Sequence, residues 1–445
     1  MTDRYTTEAA PNYQVLGDSI TLPFSGRVAP SRFMKGAMTE RLSSWDQHNP
    51  LKRGIPSQEL INVYEEWGKG GFGIILSGNT IVDHENLEAP GNPVMNAKSQ
   101  EPERAAAFAE MAAKAKAHGA LYITQLSHGG RQVASAIQPN PVSASDVKLD
   151  DRMGFSFNKP TPLSKEGIKE VIDNFAWAAE YAYKNGSDGV QLHGAHGYLL
   201  AQFLSSSTNK RTDEYGGSLE NRARIVYEIV AEIRRRVPDP KFILAIKINS
   251  KEYQDGGFQP EECREMCAHL ETLGIDVIEI SGGTYEVLAF EHKRDSSRAR
   301  EAFFLEFSEV VREKVQKSTI WVTGGFRTAK AMVNAIEDKS TDGIGLARPV
   351  CQEFDLPKLL IEGKVSSAKK LLLNEQDFVI TNVAAGTQIR QVGKGQKPFD
   401  AADAGQVENF QKTIAAFMVK GQELGAQGII PAGYPDLAPY PSASA

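Results

Sequence analysis

Two imidazoles and a phenol fall within one short stretch, His193-Gly194-Ala195-His196-Gly197-Tyr198. Imidazoles three apart, with a phenol two further on, can aim several donors at one small volume. That suits polarising a carbonyl oxygen through His193 and His196 while Tyr198 delivers a proton. The same residues could instead hold a metal or be structural histidines bonded to their surroundings. A metal would want a third ligand, and none is evident nearby. A second set lies further along the chain, in Thr323-Gly324-Gly325-Phe326-Arg327 and Gly345-Leu346-Ala347-Arg348. Glycines let backbone N–H groups approach phosphate oxygens, a helix N-terminus adds positive potential, and Arg348 would supply a planar charged fork. Tight turns beside a surface arginine would satisfy the same pattern. Phosphate at one end and carbonyl-directed imidazoles at the other point to a phosphorylated cofactor between them.

The elements that must position these groups are legible as short apolar runs alternating with helical periodicity. Strands are expected at Arg32 to Met38, Phe72 to Ser77, Leu121 to Leu126, Gly189 to His193, Phe242 to Lys247, Asp276 to Ile280, Thr319 to Thr323 and Asp342 to Leu346. One helix is expected from about Glu103, burying Phe108, Met111, Ala112 and Ala115 and stopping at Gly119. Another follows Ser218 and buries Ile225, Val226, Ile229, Val230 and Ile233, with Arg234-Arg235-Arg236 suiting its C-terminus. About eight βα units in series fit a closed (β/α)8 TIM barrel. Connections into the strands are short and those out of them are long, notably Thr39 to Pro56, Ser127 to Leu163, Gly194 to Gly217 and Ser281 to Arg300. In a barrel that asymmetry marks the C-terminal face as the site. Gly68-Lys69-Gly70-Gly71-Phe72-Gly73 matches G-x-G-x-x-G, yet a helix precedes it and a strand follows, the reverse of a dinucleotide-binding turn. It reads as the end of a helix.

Composition narrows the function classes. With 41% hydrophobic and 24% charged residues the chain is globular, and its net charge of −6 opposes nucleic acid and anionic membrane surfaces. No run approaches the roughly 20 apolar residues of a spanning helix, and the start has no secretory pattern, so a cytoplasmic location is expected. The three cysteines, Cys263, Cys267 and Cys351, are too few and too isolated for disulfides, zinc or an iron–sulfur cluster. The barrel is expected over residues 1–365, leaving 366–445 as a C-terminal helical extension. Gly386 to Pro398 reads as a long loop, followed by a helix with Val407, Phe410, Ile414 and Phe417 on one face. That face would pack on its own barrel or on a second copy in a homo-oligomer. Residues from Ala432 onward, rich in Pro and Ser, are expected to be poorly ordered.

The ordered string H-x-x-H-x-Y, L-x-Q-F-L-S and N-x-R-x-D-x-Y-G-G-S-x-E-N-R, running from His193 to Arg222, resembles the old yellow enzyme family of flavin-dependent ene-reductases, which includes the oxophytodienoate reductases. The resemblance covers roughly residues 10 to 365. It implies a barrel that binds FMN, is reduced by NADPH or NADH, and is reoxidised by an α,β-unsaturated carbonyl compound. It further implies that His193 and His196 grip the carbonyl and that Tyr198 donates the proton. Ala37, Met38 and Thr39 would lie along the flavin, Thr39 near N5; Gly78 would be the small residue beside the ring. Gln125 would bond the pyrimidine edge, Lys247 would lie near N1 and O2, and Gly324, Gly325, Ala347 and Arg348 would hold the phosphate. Ala347 departs from the family's usual Gly, and Thr39 replaces the Cys of one branch. Neither an added cluster nor a second nucleotide domain is implied, and no metal.

The expected activity is therefore reduction of an enone in a ping-pong cycle. Two competing readings are a flavin-free barrel lyase or isomerase using the phosphate loops for its substrate, and a flavin-binding regulator with little turnover. Tyr285 and Phe290 are candidate pocket-lining residues.

Overall fold

The computed structural model describes residues 3–285 and 305–439. Phe290 lies outside them. Eight parallel strands form the barrel: β1 (Phe33–Lys35), β2 (Ile74–Leu76), β3 (Leu121–Ser127), β4 (Gly189–Gly194), β5 (Ile243–Asn249), β6 (Val277–Ser281), β7 (Thr319–Thr323) and β8 (Gly343–Leu346). Pairing of Ile344 with Phe33 and of Leu346 with Lys35 seals the cylinder. The (β/α)8 architecture is the one the alternation predicts, and all eight expected strands are present. The first is shorter than its apolar run. Its last ladder bond is Gly36 N–H to Leu346 O at 2.7 Å, after which Ala37 to Thr39 leave the sheet for the rim.

Helices α1 (Gln58–Gly68), α2 (Pro102–Lys116), α3 (Lys165–Lys184), α4 (Leu219–Arg236), α5 (Pro260–Thr272), α6 (Leu305–Arg312), α7 (Ala329–Glu337) and α8 (Leu356–Ile361) surround the barrel. Side-chain caps from Ser57, Ser164, Ser218 and Thr328 start α1, α3, α4 and α7 by accepting backbone N–H groups. The glycine-rich 68–73 segment ends α1 and turns at Gly71, where φ is +84°. Strand side chains divide by parity. Tyr122, Val190, Leu192, Leu244, Ile246, Ile278, Ile280, Ile320 and Val322 face the helices. Met34, Ile74, Leu76, Leu121, Ile123, Ile243, Ala245, Val277 and Trp321 fill the interior. A short antiparallel pair, Ile20–Thr21 with Val28–Ala29, adds Ile20, Leu22 and Ala29 to that interior cluster and closes the floor. Among the described residues no helix is long and apolar enough to cross a membrane.

Two expectations about the C-terminal region are overturned. Gly386 to Pro398 is not a loop, because α9 (Phe378–Gly393) runs through most of it. The glycines there serve close packing. A Cβ on Gly386 would lie 2.4 Å from the Tyr434 ring, and one on Gly393 would lie 2.8 Å from Glu59 O of α1. Residues 432–439 are not loose either, while 440–445 lie outside the described residues: buried Tyr434 packs on Gly386 of α9, and buried Leu437 packs between α9 and α10 (Ala404–Ala426). Arg390 holds Tyr434 O, and Gln391 Nε2 donates to Leu437 O at 3.2 Å. Val407 and Phe410 of α10 join this cluster, with Ile414 at its margin.

Candidate active site

Along the inward parity, side chains change from apolar at the floor to polar at the C-terminal rim. The succession is Leu121, Ile123, Gln125 on β3; Gly189, Gln191, His193 on β4; Ile243, Ala245, Lys247 on β5; and Val277, Glu279, Ser281 on β6. Register sets Gln125 beside Gln191, and Lys247 beside both His193 and Glu279. A continuous buried chain results. Gln125 Nε2 donates to Gln191 Oε1 at 2.7 Å, Gln191 Nε2 donates to Glu279 Oε2 at 2.8 Å, and Glu279 Oε1 lies 3.0 Å from Lys247 Nζ. Gln191 and Glu279 are site residues that the motif reading missed. The available signal was their parity, two residues before His193 and Ser281 in runs that are otherwise apolar.

The His193–Tyr198 segment leaves β4 in a left-handed kink, with φ of +59° at His196 and +77° at Gly197. For a histidine this is an uncommon conformation, held here by Gln132 Nε2 donating to His196 O and Gln202 Nε2 donating to Gly197 O. His193 Nδ1 accepts from Ala195 N–H at 3.3 Å, which assigns the ring proton to Nε2. His196 Nε2 pairs with Ser281 Oγ at 2.8 Å, and its backbone N–H donates to Asn249 Oδ1. The kink brings the three rings together, with His193 centroid 5.1 Å from that of His196 and 4.8 Å from that of Tyr198.

Desolvation in the rim, then the His196 and Lys247 charges, lower His193 far below the usual imidazole range. Desolvation and Lys247 likewise push His196 down to about 3. Both rings are neutral near pH 7. Burial raises the Tyr198 phenol well above its ordinary value, with Tyr285 and Glu88 adding to the effect, so it keeps its proton. Tyr198 and Tyr285 hydroxyls are 2.9 Å apart.

Opposite this cluster, the segment after β1 brings Ala37, Met38 and Thr39 to the rim. Asn79 Nδ2 lies 3.4 Å from Thr39 Oγ1 and its amide also faces Tyr198. Gly78 is required by packing within the protein: a Cβ there would sit 2.0 Å from both Met38 O and Glu40 Oε2. Its N–H donates to Tyr64 Oη at 2.8 Å and to Glu40 Oε1 at 3.1 Å. At the far corner Gly324 and Gly325 have φ of +139° and +82°, and a Cβ on Gly345 would fall 1.8 Å from Thr323 Oγ1. Arg348 follows half-buried Ala347, and its Nη1 donates to Thr381 Oγ1 of α9 at 2.5 Å. Thus Gln125, His193, His196, Tyr198 and Lys247 share one rim layer, while Gly324, Gly325, Ala347 and Arg348 form a corner tied to the extension. Asn209, Arg211 and Arg222 of the downstream motif are structural. Asn209 Nδ2 bonds Phe203 O and Tyr215 O, Arg211 bonds Ala144 O and Leu163 O, and Arg222 bonds Leu204 O.

A sequence model of the NADH:flavin oxidoreductase / NADH oxidase family matches residues 31–365. The chain belongs to this family, the old yellow enzyme family. It is 44% identical over 397 residues to an NADH-dependent flavin oxidoreductase of Aspergillus parasiticus, covering 88% of this chain and 89% of that one. In fold it is similar to an old yellow enzyme homologue from Zymomonas mobilis, with a TM-score of 0.64, 22% identity, and coverage of 80% of this chain and 95% of the other. It is also similar to a 2-naphthoyl-CoA reductase, with a TM-score of 0.74 and 24% identity, over 86% of this chain and 58% of that longer one. The residues of this old yellow enzyme family member fit a flavin nucleotide. Gln125 Oε1 and Thr323 Oγ1 are buried and lack hydrogen-bond partners, one in the rim layer and one beside the glycine corner.

Proposed function

We propose that this flavin oxidoreductase is an FMN-dependent ene-reductase that uses NADH to reduce the double bond of an α,β-unsaturated carbonyl compound. FMN would be held by Thr39, Gln125 and Lys247 at the ring and by Gly324, Gly325, Ala347 and Arg348 at the phosphate. When bound, it supplies a two-electron carrier able to take hydride from a nicotinamide and give it to an electron-poor carbon. NADH rather than NADPH is the proposed donor because the 44%-identical relative is an NADH-dependent enzyme.

The chain's own residues handle the oxygen and the proton. His193 and His196 each offer an N–H to the carbonyl oxygen, where negative charge develops as the alkene carbon is reduced. Neutral imidazoles suit this role, since a donor needs no net charge and two adjacent imidazoliums would repel. Donors so placed each contribute about 2.7–4 kcal/mol to transition-state stability. Tyr198, with its phenol kept protonated, delivers the proton to the α-carbon. Convergence of the three rings within about 5 Å is the observation that carries this reading.

Anaerobic stopped-flow measurement of Tyr198→Phe tests it. Enone reduction should slow at least tenfold while reduction by NADH stays near wild type. Equal loss in both half-reactions overturns the assignment. A purified protein lacking flavin absorbance, and not reconstituted by FMN, overturns the cofactor.

A further inference from the structure

The phenol proposed to protonate the substrate is shut away from bulk water, so each turnover leaves a buried phenolate that must be refilled. Tyr198 is only 5% exposed. One continuous set of hydrogen-bonding atoms leads from it to the surface. Tyr198 Oη lies 2.9 Å from Tyr285 Oη, and Tyr285 Oη lies 3.3 Å from Glu88 Oε1. Glu88 is half-buried, with one carboxylate oxygen at Tyr285 and the other, Oε2, accepting from Asn92 Nδ2 at 3.3 Å.

Both ends of this path are fixed by the fold. Thr284, next to Tyr285, forms a parallel bridge with His196, and Arg152 Nη1 donates to Tyr285 O at 2.6 Å. On the other side, Ala89 N–H donates to Asn92 Oδ1 at 2.6 Å, which pins the turn carrying Glu88. Tyr285 therefore depends on the same strand exit that sets the imidazoles, and among the described residues its hydroxyl meets Tyr198 on one side and Glu88 on the other. Either phenol of the Tyr198–Tyr285 pair can be the donor, so the direction of the chain can reverse.

We propose that Tyr285 and Glu88 form a proton relay that reprotonates Tyr198 between turnovers. This rests on Tyr198 being the proton donor. The transfer balances without any further reactant. Tyr198 gives its proton to the substrate α-carbon and becomes a phenolate; Tyr285 passes its hydroxyl proton to that phenolate; Glu88 passes a proton taken from water to Tyr285. At the end all three groups regain their starting protonation, and the product has gained one solvent proton. The Arg41 charge, which acts on Tyr198, Tyr285 and Glu88 together, lowers the cost of transient negative charge along the path. In this scheme Tyr285 and Glu88 are positioning and relay residues that act through Tyr198.

The test separates the first turnover from later ones, because Tyr198 begins with its own proton. In Glu88→Gln holoenzyme, the amide keeps the shape of the side chain and removes the exchangeable acid. Reduced enzyme mixed with cyclohexenone should complete its first turnover within twofold of wild type. Successive turnovers at saturating NADH should slow about tenfold, and imidazole added at tens of millimolar should restore at least half of the lost rate. Tyr285→Phe should slow successive turnovers in the same direction. Successive turnovers that slow by less than threefold in both variants overturn the relay, as does a slowing that imidazole does not relieve. Tyr198→Phe run alongside distinguishes the failures. If it retains full enone reduction, the assignment of Tyr198 falls and the relay with it; if it is slow while Glu88→Gln is normal, the relay alone falls.

Discussion

Replacing Glu279 by Gln should destabilise the barrel more than any surface substitution, for reasons that lie in the polar layer. Glu279 is fully buried, and its carboxylate faces Lys247 Nζ at 3.0 Å with one oxygen and Gln191 Nε2 at 2.8 Å with the other. At that separation and an effective dielectric near 20, the ion-pair attraction is about 5 kcal/mol before desolvation is set against it. A carboxamide can accept at one position only. It must either abandon Gln191 or turn its NH2 toward the ammonium. Removing one partner of a buried pair leaves an uncompensated charge, and the expected loss is about 3–5 kcal/mol. Lys247→Met combined with Glu279→Leu removes both charges and should lie within about 2 kcal/mol of wild type, well short of the sum of the single losses. Equilibrium urea unfolding of the flavin-free protein, which keeps any change in FMN affinity out of the comparison, reads wild type, Glu279→Gln, Lys247→Met, Glu279→Leu and the double variant. A loss below about 1 kcal/mol for Glu279→Gln, or additivity in the double variant, refutes the argument that this pair organises the layer.

The neutral imidazoles set a pH dependence. An unfolded histidine takes up its proton near pH 6.5, whereas folded His196 resists until about 3 and His193 also lies far below the usual range. The unfolded state binds more protons in that window, so the melting temperature should fall as pH drops from about 6.5 toward 3, and less steeply in His196→Asn. Gly78→Ala should cost about 1–3 kcal/mol by forcing a methyl against Met38 O and Glu40, and should lower the flavin retained per protein after dialysis. Tyr434→Phe loses the bond from Tyr434 Oη to Thr39 O and about 1 kcal/mol, while Tyr434→Ala also empties a buried site and should lose about 3–5 kcal/mol by thermal melting.

Much of the barrel is legible in the sequence. Barrel strands announce themselves because burial on both faces demands unbroken apolar runs, and all eight were readable on that ground. The His193–Tyr198 segment stands out in the sequence by its residue types and spacing, but these alone leave carbonyl binding, a metal and a structural role open, and its left-handed kink carries no signal beyond Gly197. Residues that act through parity were harder. Gln191 and Glu279 belong to no motif, and only the closed sheet sets them beside Gln125 and Lys247. The C-terminal region misled for a different reason. Gly386 and Gly393 look like loop formers, yet they are the small residues that let α9 approach Tyr434 and α1. Gly78 is expected to be small for the sake of the flavin, and Met38 O and Glu40 within the protein leave no room for a Cβ either. Glu88 and Arg41 carried no signal, since lone charges in long loops are the commonest surface residues.

The bond between Tyr434 and Thr39 joins positions 395 residues apart. On a ribosome adding roughly 5–20 residues per second, the second partner emerges about 20–80 s after the first. By then the cylinder can already have closed, since β8 supplies its last strand near residue 346. The rim segment carrying Thr39 and Arg41 must wait for a clasp that arrives long after the walls are built. A nascent chain halted between these points would hold a sealed barrel with an unfinished mouth, so completion of the catalytic face becomes a late event in the molecule's making.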